Sequence, residues 1–575
     1  MTRSPTVLIP LWFAAAACWS IPFLVAPHTF PIPTFYSEFA SAVCWAVLAV
    51  LVLGTTWRER VVFPLAVIAP AALALVLIVQ LAIATPINSF FSFAAIVFLL
   101  GAAAVAGLGA RCRNIPWALR AVAIGVLIGG LLTVVIELLQ LLRVPGLPEW
   151  LVSPASTVVD RRMWGNLNQP NHVASYLALG LAACVYLTNR GKALRLFLAI
   201  SMPTLLMGMA LTFSRTAWIH VGIVGVLAGL LVWKAQLGVR KGWALAIPVL
   251  LFLTFQGCNW LVGYANTLWD LGLPTSLGTR MEHGVSDRTP MWHHAWHMFV
   301  TSPWLGKGWG DYAWNQYVQT DVLGPVTMSL NAHNAILDLL AKVGILGLLA
   351  VLLPLWGLIR VALRTPLTPV RVFLYSVILV MAAHSMLEYP LHYLYFLLPC
   401  AFALGYMDER SLRVPSSDMT WALTGALTIC SVVLMARMWM DYKPLEQLYY
   451  QQGGPEAALR RYQASKQLLL VPYANLTIAN NAGMTYELAP VLAAIEHQAV
   501  QFYPSTGPVQ RWAVALAFQG KTDEAVLQVR RLHAQNVYDY AAASPLITHV
   551  CKEKMTGSKE FCTRLKAENL LVGVD

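Results

Sequence analysis

Runs of roughly 20 apolar residues separated by short polar breaks recur from the N-terminus to about residue 438, each long enough to cross the ~30 Å hydrocarbon core of a bilayer. They predict membrane-spanning helices at roughly 7–27, 38–54, 61–82, 89–110, 118–141, 172–188, 195–212, 216–233, 243–262, 334–358, 371–387, 391–407 and 420–438. One such run could be a signal peptide, but about thirteen cannot. Prolines inside the runs (Pro22, Pro70, Pro203, Pro354) are compatible with a helix bundle, where neighbours satisfy the freed backbone groups. Beyond residue 439 the pattern becomes polar and reads as short helices. Pro508–Ala534 reads as a helix, a turn at Gly520 and a second helix opened by Thr522 and Asp523, which is one tetratricopeptide-type hairpin. The expected organisation is an all-α polytopic membrane domain at 1–439, with a long loop at about 263–333, and a small helical domain at 440–575.

Composition agrees with this class. Of 575 residues, 58% are hydrophobic and 11% charged, whereas a soluble domain carries about 25% charged residues. The net charge of +12 would suit a nucleic-acid binder if it were clustered. Instead the basic residues are spread singly between apolar runs, so no nucleic-acid partner is expected.

Their distribution sets an orientation. With the N-terminus inside, the inside segments hold Arg3, Arg58, Arg60, Arg111, Arg113, Arg120, Arg190, Lys192, Lys234, Arg240, Lys241, Arg360, Arg364, Arg410 and Arg413. The opposite loops at 28–37, 83–88 and 388–390 hold no Lys or Arg, as the positive-inside rule requires. Exceptions cluster outside, at Arg143, Arg161, Arg162, Arg215, Arg280, Arg288 and Lys307. An anionic ligand at the outer face would account for them. With an odd number of spans the 440–575 domain also lies outside, where Cys551 and Cys562 can form a disulfide. None of the nine cysteines forms a CxxC pair.

Five polar strings fall on that outer face. GNLNQPNH (165–172) supplies amides that suit sugar hydroxyls or phosphate oxygens; the plainer alternative is a turn capping the next helix. Ser214-Arg215-Thr216 leaves no room for a loop, so Arg215 either snorkels to lipid phosphate or grips a substrate phosphate through its planar guanidinium. The loop at 263–333 carries Arg280 and Arg288 and then a helix from about Pro290, with His293 and His297 four apart. That spacing permits a metal site, but no carboxylate follows in zincin fashion, and an interfacial helix is the better reading. Asn331-Ala332-His333-Asn334 places a candidate general base at a helix mouth, with a helix cap as the bland alternative. His384–Leu391 (HSMLEYPL) offers a carboxylate, Glu388, and a phenol, Tyr389, at a rigid helix break. Ionisable groups at membrane depth are functional candidates by default.

Taken together, GNLNQPNH, SRTA, RTPMW with PWLGKGWG, NAHN and HSMLEYPL stand in the order of, and resemble, the PglL-type bacterial protein O-oligosaccharyltransferases. These lie within the Wzy/WaaL group of O-antigen ligases and polymerases. The resemblance covers about Pro27 to Leu391 and includes HTFPIPTFYSEF at 28–39. It implies a GT-C-like fold in the bacterial inner membrane, with the active site facing the periplasm. It also implies en bloc transfer of an oligosaccharide from undecaprenyl diphosphate to Ser or Thr of a pilin-like acceptor. Carried over by position, the essential histidine falls on His333, the glutamine and tyrosine on Gln169 and Tyr389, and the diphosphate-binding arginines on Arg215, Arg288 and Arg280. Asn168, Asn171, His172 and Asn334 would position substrate, with Glu388 as a rival base to His333. No metal or other cofactor is expected, and displacement at the anomeric carbon would invert it. Two other readings are an O-antigen ligase acting on lipid A-core and a transporter of lipid-linked glycan. The transporter predicts inverted repeats and mid-depth charges, and neither is evident.

Overall fold

A computed structural model describes residues 5–55, 63–115, 117–154, 161–188, 192–234, 242–274, 288–412 and 417–573. The basic loops at 56–62, 189–191 and 235–241 and the residue Arg280 lie outside the described residues. Among the described residues the fold is built from helices, with one two-residue antiparallel pair, Phe63–Pro64 against Ser411–Leu412.

In chain order the main helices are α1 (Pro5–Ala17), α2 (Phe35–Thr55), α3 (Ile68–Ile83), α4 (Ser89–Cys112), α5 (Ala118–Leu141), α6 (Pro170–Leu187), α7 (Lys192–Leu211) and α8 (Arg215–Lys234). Next come α9 (Gly242–Trp269), α10 (Arg288–Thr301), α11 (Tyr312–Leu323), α12 (Ala335–Arg364), α13 (Pro369–Ser385), α14 (Leu394–Met407) and α15 (Ser417–Tyr449). Helix is present, among the described residues, within each expected stretch. Among the described residues, eight helices are long and apolar enough to cross a membrane, and α13 and α14 are shorter apolar helices.

Three departures have local causes. The first apolar run does not continue as one helix, because α1 ends at Ala17 and the chain restarts as a short turn, Ile21–Leu24, with Pro22 in its first positions. The final helix extends well past its apolar stretch, to Tyr449. Within α12, Gly344 (φ 65°, ψ −165°) breaks the helix. A Cβ there would stand 2.4 Å from the Trp304 backbone, so both the left-handed angle and the space require glycine.

The chain forms two compact units. The first comprises Met1–Ala72, Phe98–Met281 and Val351–Met435. In it α6 is the hub, packing on α5, α7, α8 and α13, and residues from Val173 to Leu187 along its length are buried on nearly every side. A helix apolar all round belongs at the centre of a bundle. Helices approach closely where glycine allows it: a Cβ on Gly405 of α14 would lie 1.8 Å from the Ala106 carbonyl of α4, the small-residue contact that membrane bundles favour.

The second unit comprises Leu73–Val97, Glu282–Ala350 and Ala436–Asp575. Its C-terminal part adds α16 (Pro455–Ala464), α17 (Val471–Asn481), α18 (Ala489–Phe502), α19 (Thr506–Phe518), α20 (Thr522–Gln535), α21 (Pro545–Lys552) and α22 (Lys559–Ala567). The helix–turn–helix expected at Pro508–Ala534 is α19 and α20, joined through Gly520 at φ 74°. Val509, Ala513, Leu516 and Ala517 share a core with Val526, Val529 and Leu532, as the three-to-four residue spacing demands. Cys551 and Cys562 are joined as a disulfide between α21 and α22, with Cα atoms 5.6 Å apart.

Candidate functional site

In the first unit, three of the polar strings join in one network around a carboxylate. Pro170 opens α6 with the φ that a first helical residue needs. That leaves Gln169 as its cap, the side-chain Oε1 accepting from the His172 amide at 2.7 Å. The other end of the same amide, Nε2, donates to Glu388 Oε2 at 2.8 Å. Asn171 donates from Nδ2 to Glu388 Oε1. Its Oδ1 accepts from Ser214 Oγ at 2.7 Å and from Arg162 Nη2 at 3.0 Å. Ser214 also bonds Thr216 Oγ1 at 2.7 Å. Asn171 therefore ties GNLNQPNH, SRT and EYP into a single network.

Glu388 sits in the break between α13 and the short 3-10 turn Pro390–His392, with its side chain 12% exposed. His384, one turn earlier on α13, approaches it through Nε2 at 3.2 Å. Burial alone would push the Glu388 carboxyl up, but the hydrogen bond and electrostatic attraction of His384, then the attraction of His172 and the Asn171 hydrogen bond, together outweigh burial and hold it well below the ordinary carboxylate range. An acceptor so fully occupied is ionised at neutral pH and a weak base.

The other candidates in this unit divide sharply. Asn168 is exposed in a left-handed conformation (φ 55°), and Ser153 Oγ donates to its Oδ1 at 3.3 Å. Tyr389 is half-buried, its ring stacked 6.0 Å from that of Tyr393. Arg215 is exposed as the first residue of α8. His172, expected to position substrate, is only 3% exposed. It packs between Tyr393 and Phe396 and meets the Tyr395 hydroxyl at 3.3 Å, so it can act on substrate only through its neighbours. Asn166 is spent inside the fold, donating to the Leu24 and Leu151 carbonyls.

In the second unit, His333 stands at φ 52°, a left-handed angle that a non-glycine residue adopts only when its surroundings impose it. Both flanks do so. The Ala332 amide donates to Asp338 Oδ1 at 2.9 Å and its carbonyl accepts from Trp292 Nε1 at 3.1 Å. On the other side Asn334 Oδ1 accepts from the Ile336 and Leu337 amides at 3.1 Å, so Asn334 is a helix cap. Asp338 is itself paired with Lys342 at 3.0 Å, both nearly fully buried, and the Lys342 ammonium reaches Asn331 Oδ1. Trp292 lies one turn after Arg288 on α10, so the face of α10 that carries Arg288 is pinned to the NAHN turn. His293 is exposed and His297 half-buried. Among the described residues neither joins a group of three potential metal ligands.

No ligand cluster stood out in the sequence, yet His172, His384 and Glu388 each bring one ligand atom to within 4.8 Å of the others. Both Glu388 oxygens face amide N–H donors, Gln169 Nε2 and Asn171 Nδ2, so the carboxylate of this cluster is held by hydrogen bonds. Ser214 and His384 lie inside two of the polar strings and Arg162 is one of the outside basic residues, yet none of them is assigned a site role from sequence. Ser175 lies three residues beyond GNLNQPNH, and adjacency is its only signal.

Models of known families match three stretches of the chain. One described as "Protein glycosylation ligase" covers 163–187, with Gln169 and Asn171. "O-Antigen ligase" covers 200–352, with Arg215, Arg288 and His333. "Virulence factor membrane-bound polymerase, C-terminal" covers 372–545, with Glu388 and Tyr389. Two curated proteins of Acinetobacter baylyi (strain ATCC 33305 / BD413 / ADP1) are similar. A "General O-oligosaccharyltransferase" is 24% identical over 405 residues, 66% of this chain and 67% of its own. A "ComP-specific O-oligosaccharyltransferase" is 26% identical over 268 residues, 45% of this chain and 46% of its own. The match thus spans less than half of the second relative.

Proposed function

We propose that this protein, being similar to O-oligosaccharyltransferases, transfers a preassembled oligosaccharide en bloc from undecaprenyl diphosphate to a Ser or Thr hydroxyl of an exported, pilin-like protein. The observation that carries the reading is the network on Glu388. Three strings far apart in sequence are joined in one hydrogen-bonded network around an ionised carboxylate at helix ends in a polytopic membrane chain. Two of them meet at Glu388 and the third reaches it through Asn171, and each lies inside a match to a glycan-ligating or polymerising family.

In this proposal the hydroxyl oxygen of the acceptor attacks the anomeric carbon as the bond to the diphosphate oxygen breaks. The bonding pair leaves with undecaprenyl diphosphate, and inversion follows from a single displacement. Arg215 and Arg288, with Arg280, are assigned to the diphosphate. Guanidinium contacts to its oxygens stabilise the leaving charge and can replace a general acid or a metal. His333 takes the hydroxyl proton, because an imidazole matches the pH at which the reaction runs. Glu388, too weak a base for that step, orients Gln169 and Asn171 toward sugar or phosphate oxygens, with Tyr389 and Asn168 beside them. The thirteen-span, GT-C-like arrangement in the bacterial inner membrane, a periplasmic face for these groups and a tetratricopeptide-like tail belong to the same proposal.

The O-antigen ligase match over 200–352 favours one second reading, with lipid A-core as acceptor. A host that makes a lipid-linked glycan and carries this chain separates the two. Glycan found by mass spectrometry on exported proteins supports the protein acceptor. Glycan found only on lipid A-core makes the chain a ligase.

A further inference from the structure

Serine and threonine hydroxyls inside membrane helices usually turn back on the carbonyl one turn earlier. Ser201, Ser376 and Ser385 do so here, bonding Phe197, Val372 and Met381 at 2.8–2.9 Å. Ser175 does not. Its hydroxyl, fully buried on α6, crosses to α13 and meets His384 Nδ1 at 2.7 Å. The far nitrogen of that ring, Nε2, is the one 3.2 Å from Glu388. Ser175, His384 and Glu388 therefore form an ordered row, with its inner end sealed in the bundle and its outer end at the network.

The row has the membership of a nucleophilic triad but not its function. Ser175 is 0% exposed, so no substrate reaches its oxygen. What the row does control is the direction of its protons. An ionised carboxylate only accepts, so Nε2 must supply the hydrogen to Glu388. In a neutral imidazole the other nitrogen then accepts, and Ser175 must donate.

We propose that the Ser175 hydroxyl, by donating to Nδ1, holds the His384 ring in the pose in which Nε2–H meets Glu388, making His384 a positioning residue that aims the Glu388 carboxylate at Gln169 and Asn171. The inference rests on the reading of Glu388 as an orienting acceptor. Without the hydroxyl, the carboxylate still selects the Nε2–H tautomer, but Nδ1 is left as a buried acceptor with no donor and the ring is free to turn away from Glu388. A glutamine at 384 has an amide donor for Glu388 but no Nδ1 for Ser175 to hold, so it is indifferent to Ser175.

Two measurements on the full-length protein test this. The first does not depend on glycan transfer: 15N solid-state NMR of histidine-labelled protein, with the His384 signal assigned by its loss in His384→Gln. The expected result is a neutral Nε2–H ring in the wild type, with an Nδ1 signal that moves in Ser175→Ala toward that of an acceptor nitrogen with no hydrogen bond. An imidazolium in the wild type, or an Nδ1 signal unmoved by the substitution, overturns the proposal even if the enzyme transfers glycan as expected. The second is a double-mutant cycle on transfer from an undecaprenyl diphosphate-linked oligosaccharide to a pilin-like protein. Ser175→Ala should lower kcat about tenfold, the worth of one buried hydrogen bond, with KM for the donor unchanged. Added to His384→Gln it should cost nothing more. Losses that simply multiply would overturn the positioning role. If the wild type transfers nothing, the functional reading falls and the NMR result alone decides whether Ser175 holds the ring.

Discussion

Replacing Glu388 by Gln exchanges one acceptor oxygen for a donor NH2 in a pocket that holds three donors. Gln169 Nε2 at 2.8 Å and His384 Nε2 at 3.2 Å share Oε2, while Asn171 Nδ2 faces Oε1. The least costly placement keeps the new carbonyl on the side of Gln169 and His384. That sets the new NH2 against the NH2 of Asn171. Asn171 cannot simply turn over, because Ser214 and Arg162 both donate to its Oδ1. One hydrogen bond to a charged group is lost and two become neutral, about 2–4 kcal/mol in total, or a fall in transfer of roughly 30- to 1,000-fold if fully felt in the transition state. Loss of a general base also lies near 10²–10⁴, so the single variant does not discriminate. The pair Glu388→Gln with Asn171→Asp does, because an aspartate at 171 accepts from the new amide and still serves Ser214 and Arg162. With purified protein, lipid-linked donor and acceptor, we expect the pair to recover at least about tenfold over Glu388→Gln alone, the equivalent of one restored hydrogen bond. A pair no faster than the single variant, together with His333→Ala at wild-type rate, would mean that Glu388 removes the proton and that the reasoning is wrong.

Other outcomes follow from the same structure. His333→Ala should lower kcat by about 10²–10⁴ with little change in KM for the donor, whereas Arg288→Ala should chiefly raise that KM, as initial-rate kinetics over donor concentration would show. Because Glu388 is held below the ordinary carboxylate range, its ionisation should contribute no acid limb to kcat/KM above about pH 4; an acid limb near pH 5–6 that vanishes in Glu388→Gln would contradict this. Burial pushes the fully buried Glu496 up to about 7 despite its 2.6 Å pairing with Arg511. Since the folded state then holds the proton more tightly than the unfolded chain, this contribution to stability is complete below about pH 4.5 and is lost as pH rises through about 7. Glu496→Gln should therefore flatten the pH dependence of Tm between pH 5 and 8, read by differential scanning fluorimetry. Replacing Cys551 and Cys562, 11 residues apart, with serine should cost the second unit about 2–3 kcal/mol, from loss of a short closed loop, and lower its denaturation midpoint.

Much of this architecture was legible because a membrane span announces itself by length and hydrophobicity alone. The break after Ala17 was not, since the apolar run passes through it unchanged and only Pro22 hinted at a restart. The hairpin at Gly520 was readable from local turn chemistry. Gln169, Asn171 and Glu388 in the first unit, and His333 in the second, stood out as polar groups in apolar surroundings. That Glu388 receives both amides is a consequence of how α6 packs on α13, and no local pattern encodes it. Ser175 and His384 look like ordinary polar residues within apolar helices until the packing turns them toward each other. His172 misled for the opposite reason: Gln169 and Asn171 just before it are only half-buried, but its place as the third residue of α6 turns it inward.

The most direct test of the central claim is the intact mass of a purified pilin-like acceptor after incubation with this protein and an undecaprenyl diphosphate-linked oligosaccharide of known length. We expect one step equal to the whole glycan, mapped to a Ser or Thr. An unchanged acceptor, or a ladder of single-sugar additions, would contradict en bloc transfer.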